Sequence, residues 1–221
     1  MPIPPEHAAR ATRHLQRNDP VMRELIRNVG AFEIKLERNR FWMLVRSIIS
    51  QQVSTAAARA IGGRVQALLK PGTVSADRLL KLSEVQLRGA GLSAAKASYV
   101  LDLSDAVVSG RVLLRHIARK TDEEIIEELI QVKGIGRWTA QMFLIFSLGR
   151  LDVLPVDDLG VRVAIRDLYG LAELPDKKTS ERVAESWRPY ASVASWYCWR
   201  SIPLQRARTT TSKQSPKSSQ M

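Results

Sequence analysis

Gly134 and Gly136 flank a single apolar residue, Ile135, inside the run Leu129-Ile130-Gln131-Val132-Lys133-Gly134-Ile135-Gly136-Arg137-Trp138-Thr139-Ala140. Apolar residues recur at helical spacing on both sides, so the run reads as helix, tight turn, helix. Glycine adopts backbone angles closed to other residues, and without a side chain it lets another backbone come close. The first amides of the second helix then face outward with a partial positive charge, the arrangement that receives a phosphate. Val132 and Ile135 can pack the turn from beneath. A Gly-x-Gly alone is more often an ordinary helical corner, so its meaning depends on the residues around it. Further along, Asp157 and Asp158 stand side by side before another helical stretch. A carboxylate there can cap the helix or supply a fixed negative charge.

These groups must be carried by helices. Apolar residues recur at spacings of three and four almost throughout, and alternating apolar and polar runs are scarce, which predicts an all-helical fold. The pattern places helices at 6–17, 21–29, 40–52, 55–69, 76–82, 83–88, 94–109, 122–130, 136–148, 159–168, 178–187 and 190–201. Asp19-Pro20 puts a capping side chain ahead of a first-turn proline, and Thr121 with Glu124 forms a capping box before the stripe Ile125, Ile126, Leu129, Ile130. Pro155 interrupts the stretch between two helices, and Pro203 is expected to end the last one. From 204 onward the chain is a basic tail, and from Thr209 to Gln220 it holds almost nothing apolar, so disorder is expected there.

Composition narrows the partner. Among 221 residues, Lys and Arg outnumber Asp and Glu by 34 to 22, a formal charge of +12, and the pI is near 10.3. Four of the positives, Arg206, Arg208, Lys213 and Lys217, lie in the tail, yet the rest remains basic, and a polyanionic partner is the leading inference. Cys198 is the single cysteine, which excludes disulfide frameworks, zinc knuckles and a cysteine-ligated iron-sulfur cluster within this chain. No apolar run approaches a membrane span and the start lacks a signal-peptide pattern, so the expectation is an intracellular protein with no membrane partner, cytoplasmic in a bacterium or nuclear in a eukaryote.

With its flanking residues, the hairpin resembles the helix-hairpin-helix motif of the DNA glycosylase superfamily named for that hairpin and a following Gly-Pro/Asp loop. Leu151-Asp152-Val153-Leu154-Pro155-Val156-Asp157-Asp158-Leu159-Gly160 looks like that loop. The nearest resemblance is to the 3-methyladenine DNA glycosylase II family, whose hairpin reads Gly-Ile-Gly-Arg-Trp-Thr-Ala, as at 134–140 here. Ile48-Ile49-Ser50-Gln51-Gln52-Val53-Ser54 is similar to the segment carrying the family's DNA-inserting wedge, and Trp187-Arg188-Pro189-Tyr190 with Trp196-Tyr197 to its closing helix. Four ordered motifs spanning roughly residues 10 to 203 are a specific signal.

The resemblance implies a two-lobed helix-hairpin-helix glycosylase fold with the active site in the cleft between lobes, one lobe at about 39–149 and the other joining about 1–38 to 150–203. The N-terminal sheet domain of some bacterial members is expected to be absent. Cleaving a base from deoxyribose builds positive charge on the sugar, and a carboxylate beside the anomeric carbon stabilises it and can orient water. The family position of that group is Asp158, with Asp157 the alternative from other branches; the other member of the pair is then free to cap the helix. Bifunctional branches carry a lysine nucleophile where this chain has Trp138, so base removal without strand cleavage is implied. Lys133 is read as a phosphate contact.

DNA contacts are expected from Gln51, Gln52, Val53, Lys133, Gly134, Ile135, Gly136, Arg137 and Thr139. The wedge falls on Gln52 or Val53, where bacterial members have leucine at the position of Gln52, and Gln51 is placed to hydrogen-bond the base left behind. Trp138 and Trp196 match aromatic positions near the base pocket, where an electron-rich ring attracts a cationic methylated purine; core packing is the alternative for both. Met142 replaces a pocket tyrosine. The carbonyls of Ile130, Val132 and Gly134 match those that hold a sodium or potassium ion, structural and not catalytic. The implied protein is a monomer acting on double-stranded DNA containing alkylated bases, with no catalytic cofactor. A non-catalytic helix-hairpin-helix DNA-binding protein, or a glycosylase for other damaged or mismatched bases, remains open.

Overall fold

The computed structural model describes residues 3–213, with side chains as far as Pro203. Its regular elements are helices: α1 (Pro5–Asn18), α2 (Pro20–Val29), α3 (Arg40–Ser50), α4 (Thr55–Leu68), α5 (Ala76–Leu79), α6 (Glu84–Gly89), α7 (Ala94–Val108), α8 (Asp122–Leu129), α9 (Arg137–Phe143), α10 (Leu159–Tyr169), α11 (Lys177–Ala184) and α12 (Ala191–Lys213). Among the described residues no helix is long and apolar enough to cross a membrane. The chain divides into two units: Leu36–Gly149, and the segment up to Lys35 joined to the chain from Arg150 onward.

In the first unit, short polar side chains start most helices. Asn39, Ser54, Ser93 and Thr121 each accept a first-turn amide of α3, α4, α7 and α8, and Ser83 with Gln86 and Thr121 with Glu124 complete capping boxes. A cap of this kind is worth about 1 kcal/mol. Asn39 also donates from Nδ2 to the Val74 carbonyl at 2.8 Å, fixing where α3 begins. Leu44, Ile48, Val100, Leu103, Ile125 and Phe143 are fully buried, so α3, α7, α8 and α9 share one core.

The second unit is built around α12, whose Ala191, Val193, Ala194, Tyr197 and Cys198 are wholly buried. Asp19 does more here than cap α2. Its buried carboxylate accepts from the Met22 amide at 3.0 Å, the Tyr169 hydroxyl at 2.5 Å, the Ser186 hydroxyl at 2.9 Å and the Trp187 indole N–H at 3.2 Å. Four donors satisfy an anion that would otherwise be costly to bury, and burial beside Asp19 pushes the Tyr169 hydroxyl far above its ordinary pKa.

Most boundaries shift by a residue or more from the sequence expectation, and three of the differences bear on the site. α3 stops at Ser50, leaving Gln51 and Gln52 outside it. α9 begins at Arg137, and the turn after it, Leu144–Leu148, widens into a π-helix; there the Phe146 carbonyl accepts the Glu37 amide at 2.9 Å and the Ser147 hydroxyl donates to the Glu37 carbonyl at 2.9 Å. Pro203 does not end α12, which runs on to Lys213. Proline removes one helical hydrogen bond at a cost of about 3 kcal/mol, but its fixed φ is itself helical. The tail expected from 204 is thus helical backbone as far as 213, and its remainder lies outside the described residues.

Candidate functional site

In the first unit, two helices and a seven-residue turn build the hairpin. α8 runs out at Ile130, the turn crosses Val132 and Ile135, both buried, and α9 starts from Gly136. The Val132 amide donates to the Leu129 carbonyl and the Ile135 amide to the Val132 carbonyl, each at 3.1 Å. Gly134 has φ +81, and a Cβ there would lie 2.2 Å from the Tyr99 ring; only glycine fits, for both reasons. Gly136 is different: its φ of −95 suits any residue, and a Cβ would meet nothing of the protein within 4 Å. What its missing side chain leaves is open space at the start of α9.

The turn is anchored from α7. The Lys133 amide donates to Asp102 at 2.8 Å, and Arg111 pairs with Asp102 at 2.9 Å. Partial desolvation opposes ionisation of Asp102, but the Lys133 amide and the Arg111 guanidinium outweigh it and hold the carboxyl below the usual carboxylate range. The Lys133 side chain is exposed. Arg137 forms a two-pronged pair with Glu123 of α8 at 2.6 and 2.8 Å, both groups being exposed, so water and salt screen the pair.

Gln51, Gln52 and Val53 form the turn after α3. Gln52 has φ +54, the one non-glycine in the left-handed region among the described residues, and it and Val53 are exposed. Holding such a residue costs on the order of 1 kcal/mol or more, and strain of this kind gathers at functional turns. Gln51, expected from the sequence to hydrogen-bond the base left behind, donates from Nε2 to the Gly134 carbonyl at 2.8 Å, tying this turn to the hairpin. A residue that sequence reading missed completes the tie. Lys96 on α7 donates from Nζ to the carbonyls of Ile49 at 2.8 Å and Gln51 at 2.5 Å, and desolvation pushes its pKa down. The available signal was position: Lys96 precedes the buried Val100 by one helical turn, a lysine on the core-facing stripe of α7.

Several expected contacts turn inward. Thr139 is buried, so α9 keeps its hydroxyl from a DNA backbone, and Ile135 can offer only main chain. Met142 is buried, whereas Trp138 is 40% exposed near the start of α9.

In the second unit, Asp157 is exposed and paired with Lys177 at 2.7 Å. Asp158 is half-buried and is itself the cap of α10, its Oδ1 accepting the Val161 amide at 2.8 Å; the sequence expectation had given capping to the other member of the pair. Oδ1 also accepts the Trp199 indole N–H at 2.9 Å. Trp196 is buried, edge-on to Phe32 and Tyr197 with centroids 5.1 and 4.9 Å away, and the Arg200 guanidinium lies 5.0 Å over its ring. These contacts are those of a core residue.

Residues 45–189 match the family model described as HhH-GPD superfamily base excision DNA repair protein. The chain is 34% identical over 196 residues to DNA-3-methyladenine glycosylase 1 of Schizosaccharomyces pombe, covering 86% of each. A solved structure of the S. pombe 3-methyladenine DNA glycosylase in complex with abasic DNA superimposes with a TM-score of 0.81 at 33% identity, over 88% of this chain and 97% of that one. The DNA-3-methyladenine glycosidase of Bacillus halodurans gives a TM-score of 0.80 at 35% identity, over 89% and 91%.

Proposed function

The chain belongs to the HhH-GPD superfamily of base excision DNA repair proteins, and from that membership we propose that it is a monofunctional DNA glycosylase. It flips an alkylated base of the 3-methyladenine or 7-methylguanine type out of duplex DNA and hydrolyses its N-glycosidic bond, the first step of base excision repair. The observation that carries this reading is the likeness, over 86% of the chain, to a protein named as a DNA-3-methyladenine glycosylase.

The residues supply the parts such a reaction needs. Outward amides at the start of α9, beside the open space at Gly136, receive a backbone phosphate, and Lys133 adds charge. Neutral carbonyls at Ile130, Val132 and Gly134 are the donor type that suits a monovalent cation such as potassium; the Val132 and Gly134 carbonyls accept the Ile135 and Gln51 amides, but each keeps a second lone pair. A bound ion there contributes charge that draws in a phosphate. Extrusion of the base costs a few kcal/mol, and the outward Gln52 or Val53 fills the gap. Asp158 is the anion that offsets charge growing on the sugar as the bond to the base lengthens, and it orients the attacking water. Trp138 offers an exposed ring for the base and no amine for imine chemistry. The protein acts as a monomer, inside the cell.

Asp158→Asn should reduce base release at least a hundredfold on an alkylated duplex while leaving duplex affinity within about twofold, since affinity rests on the hairpin. Retained activity in Asp158→Asn with loss in Asp157→Asn would move the role by one residue. Full activity in both would favour a DNA-binding module in which Asp158 only caps α10, the role its bond from Val161 already serves.

A further inference from the structure

Trp199 was not among the aromatic residues singled out from the sequence, yet its indole N–H donates to the Asp158 carboxylate at 2.9 Å. It projects from α12, while Asp158 stands at the start of α10. The Val161 amide of α10 reaches the same oxygen, Oδ1, at 2.8 Å. Two donors converging from two helices fix the rotation of the carboxylate about its Cβ–Cγ bond, which one donor alone would leave loose.

Gly160 makes this approach possible. A Cβ at that position would lie 3.0 Å from Asp158 Oδ1 and 3.1 Å from the Trp199 ring, with Ile202 at 3.4 Å. The backbone at Gly160 is ordinary helix, so the need for glycine here is room, not φ. The absent side chain thus opens the space in which indole and carboxylate meet.

We propose that Trp199 is a positioning residue for the glycosylase reaction: its indole N–H, admitted by Gly160, holds the Asp158 carboxylate in the orientation from which it faces the sugar. The inference rests on Asp158 being the catalytic anion. A misplaced carboxylate loses stabilisation of the transition state without loosening the hairpin's hold on phosphates, so the chemical step changes and binding does not.

The test compares Trp199→Phe, which keeps a ring and removes the donor, with Gly160→Ala, which keeps both partners and pushes them apart, and with Asp158→Asn. Single-turnover base release and affinity for a duplex carrying an abasic-site analogue are measured for each, with thermal melting as a control. The expected result is a loss of about tenfold to a hundredfold in the release step for Trp199→Phe, a smaller loss for Gly160→Ala, and affinity within about twofold for both. Should Trp199→Phe fail to fold, Gly160→Ala carries the same comparison. An unchanged release rate in a folded variant, with Asp158→Asn inactive, overturns the positioning role and leaves Asp158 in place. Parallel losses of release and affinity show a structural role only and also overturn it. An active Asp158→Asn removes the premise, and the inference falls with it.

Discussion

At Gly134 two constraints coincide, a left-handed backbone and a tyrosine ring 2.2 Å from where a Cβ would sit. Either alone disfavours substitution, and together they make the position intolerant in a way that Gly136 is not. Gly134→Ala should lower stability by about 1–3 kcal/mol and weaken binding to damaged and undamaged duplex alike, because phosphate contacts carry no sequence information. Urea unfolding together with affinity for both duplexes checks this; a variant that keeps its affinity and loses only lesion preference would contradict it. The two glycines look alike in the sequence. Their difference lies in the left-handed φ of Gly134 and in Tyr99, which lies on another helix. The same limit applies to Trp138 and Trp196: residue type allowed pocket or core for both, and only packing places Trp196 among Phe32, Tyr197 and Arg200 while Trp138 stays exposed.

At the scale of elements, the helices were legible because their caps are local. Thr121 with Glu124 and Asp19 with Pro20 announce α8 and α2 within a few residues of sequence. The end of α3 was not legible, since the pattern runs on smoothly through Gln52. What ends the helix is a long-range clamp: Lys96 of α7 takes the carbonyls of Ile49 and Gln51, and the Gln51 side chain takes Gly134. A cation at a helix C-terminus meets the negative end of the dipole, and here it holds Gln52 at its left-handed φ. Lys96→Met should therefore loosen the turn at 51–53 more than the hairpin. A 2-aminopurine probe beside the target base should show base extrusion slowed severalfold, with affinity for a duplex bearing an abasic-site analogue within about twofold. Unaltered extrusion kinetics would contradict the clamp. Pro203 is the converse case, a local rule overridden: the residue that should stop α12 is carried inside it.

For the molecule as a whole, a charge of +12 and a pI near 10.3 made a polyanion the expected partner, and four ordered motifs narrowed the expectation to one superfamily before any packing was known. The motifs are short and contiguous, and the chemistry they imply is set by residue type. The supports of the site were hidden for the opposite reason. Trp199 stands 41 residues from Asp158, and Gln51 lies 83 residues from Gly134. On the proposed function, this chain releases an alkylated base by hydrolysis and leaves the strand intact. A lyase needs an amine that forms an imine with the sugar, and Trp138 at the hairpin supplies none. The most direct measurement is therefore a panel of duplexes, each with one defined lesion, scored for free base, for strand breaks before and after alkali, and for covalent trapping by borohydride. The expected outcome is free alkylated base, breaks only after alkali, and no trapped adduct. Release of no base from any alkylated duplex, or efficient trapping of the unmodified protein, would contradict it.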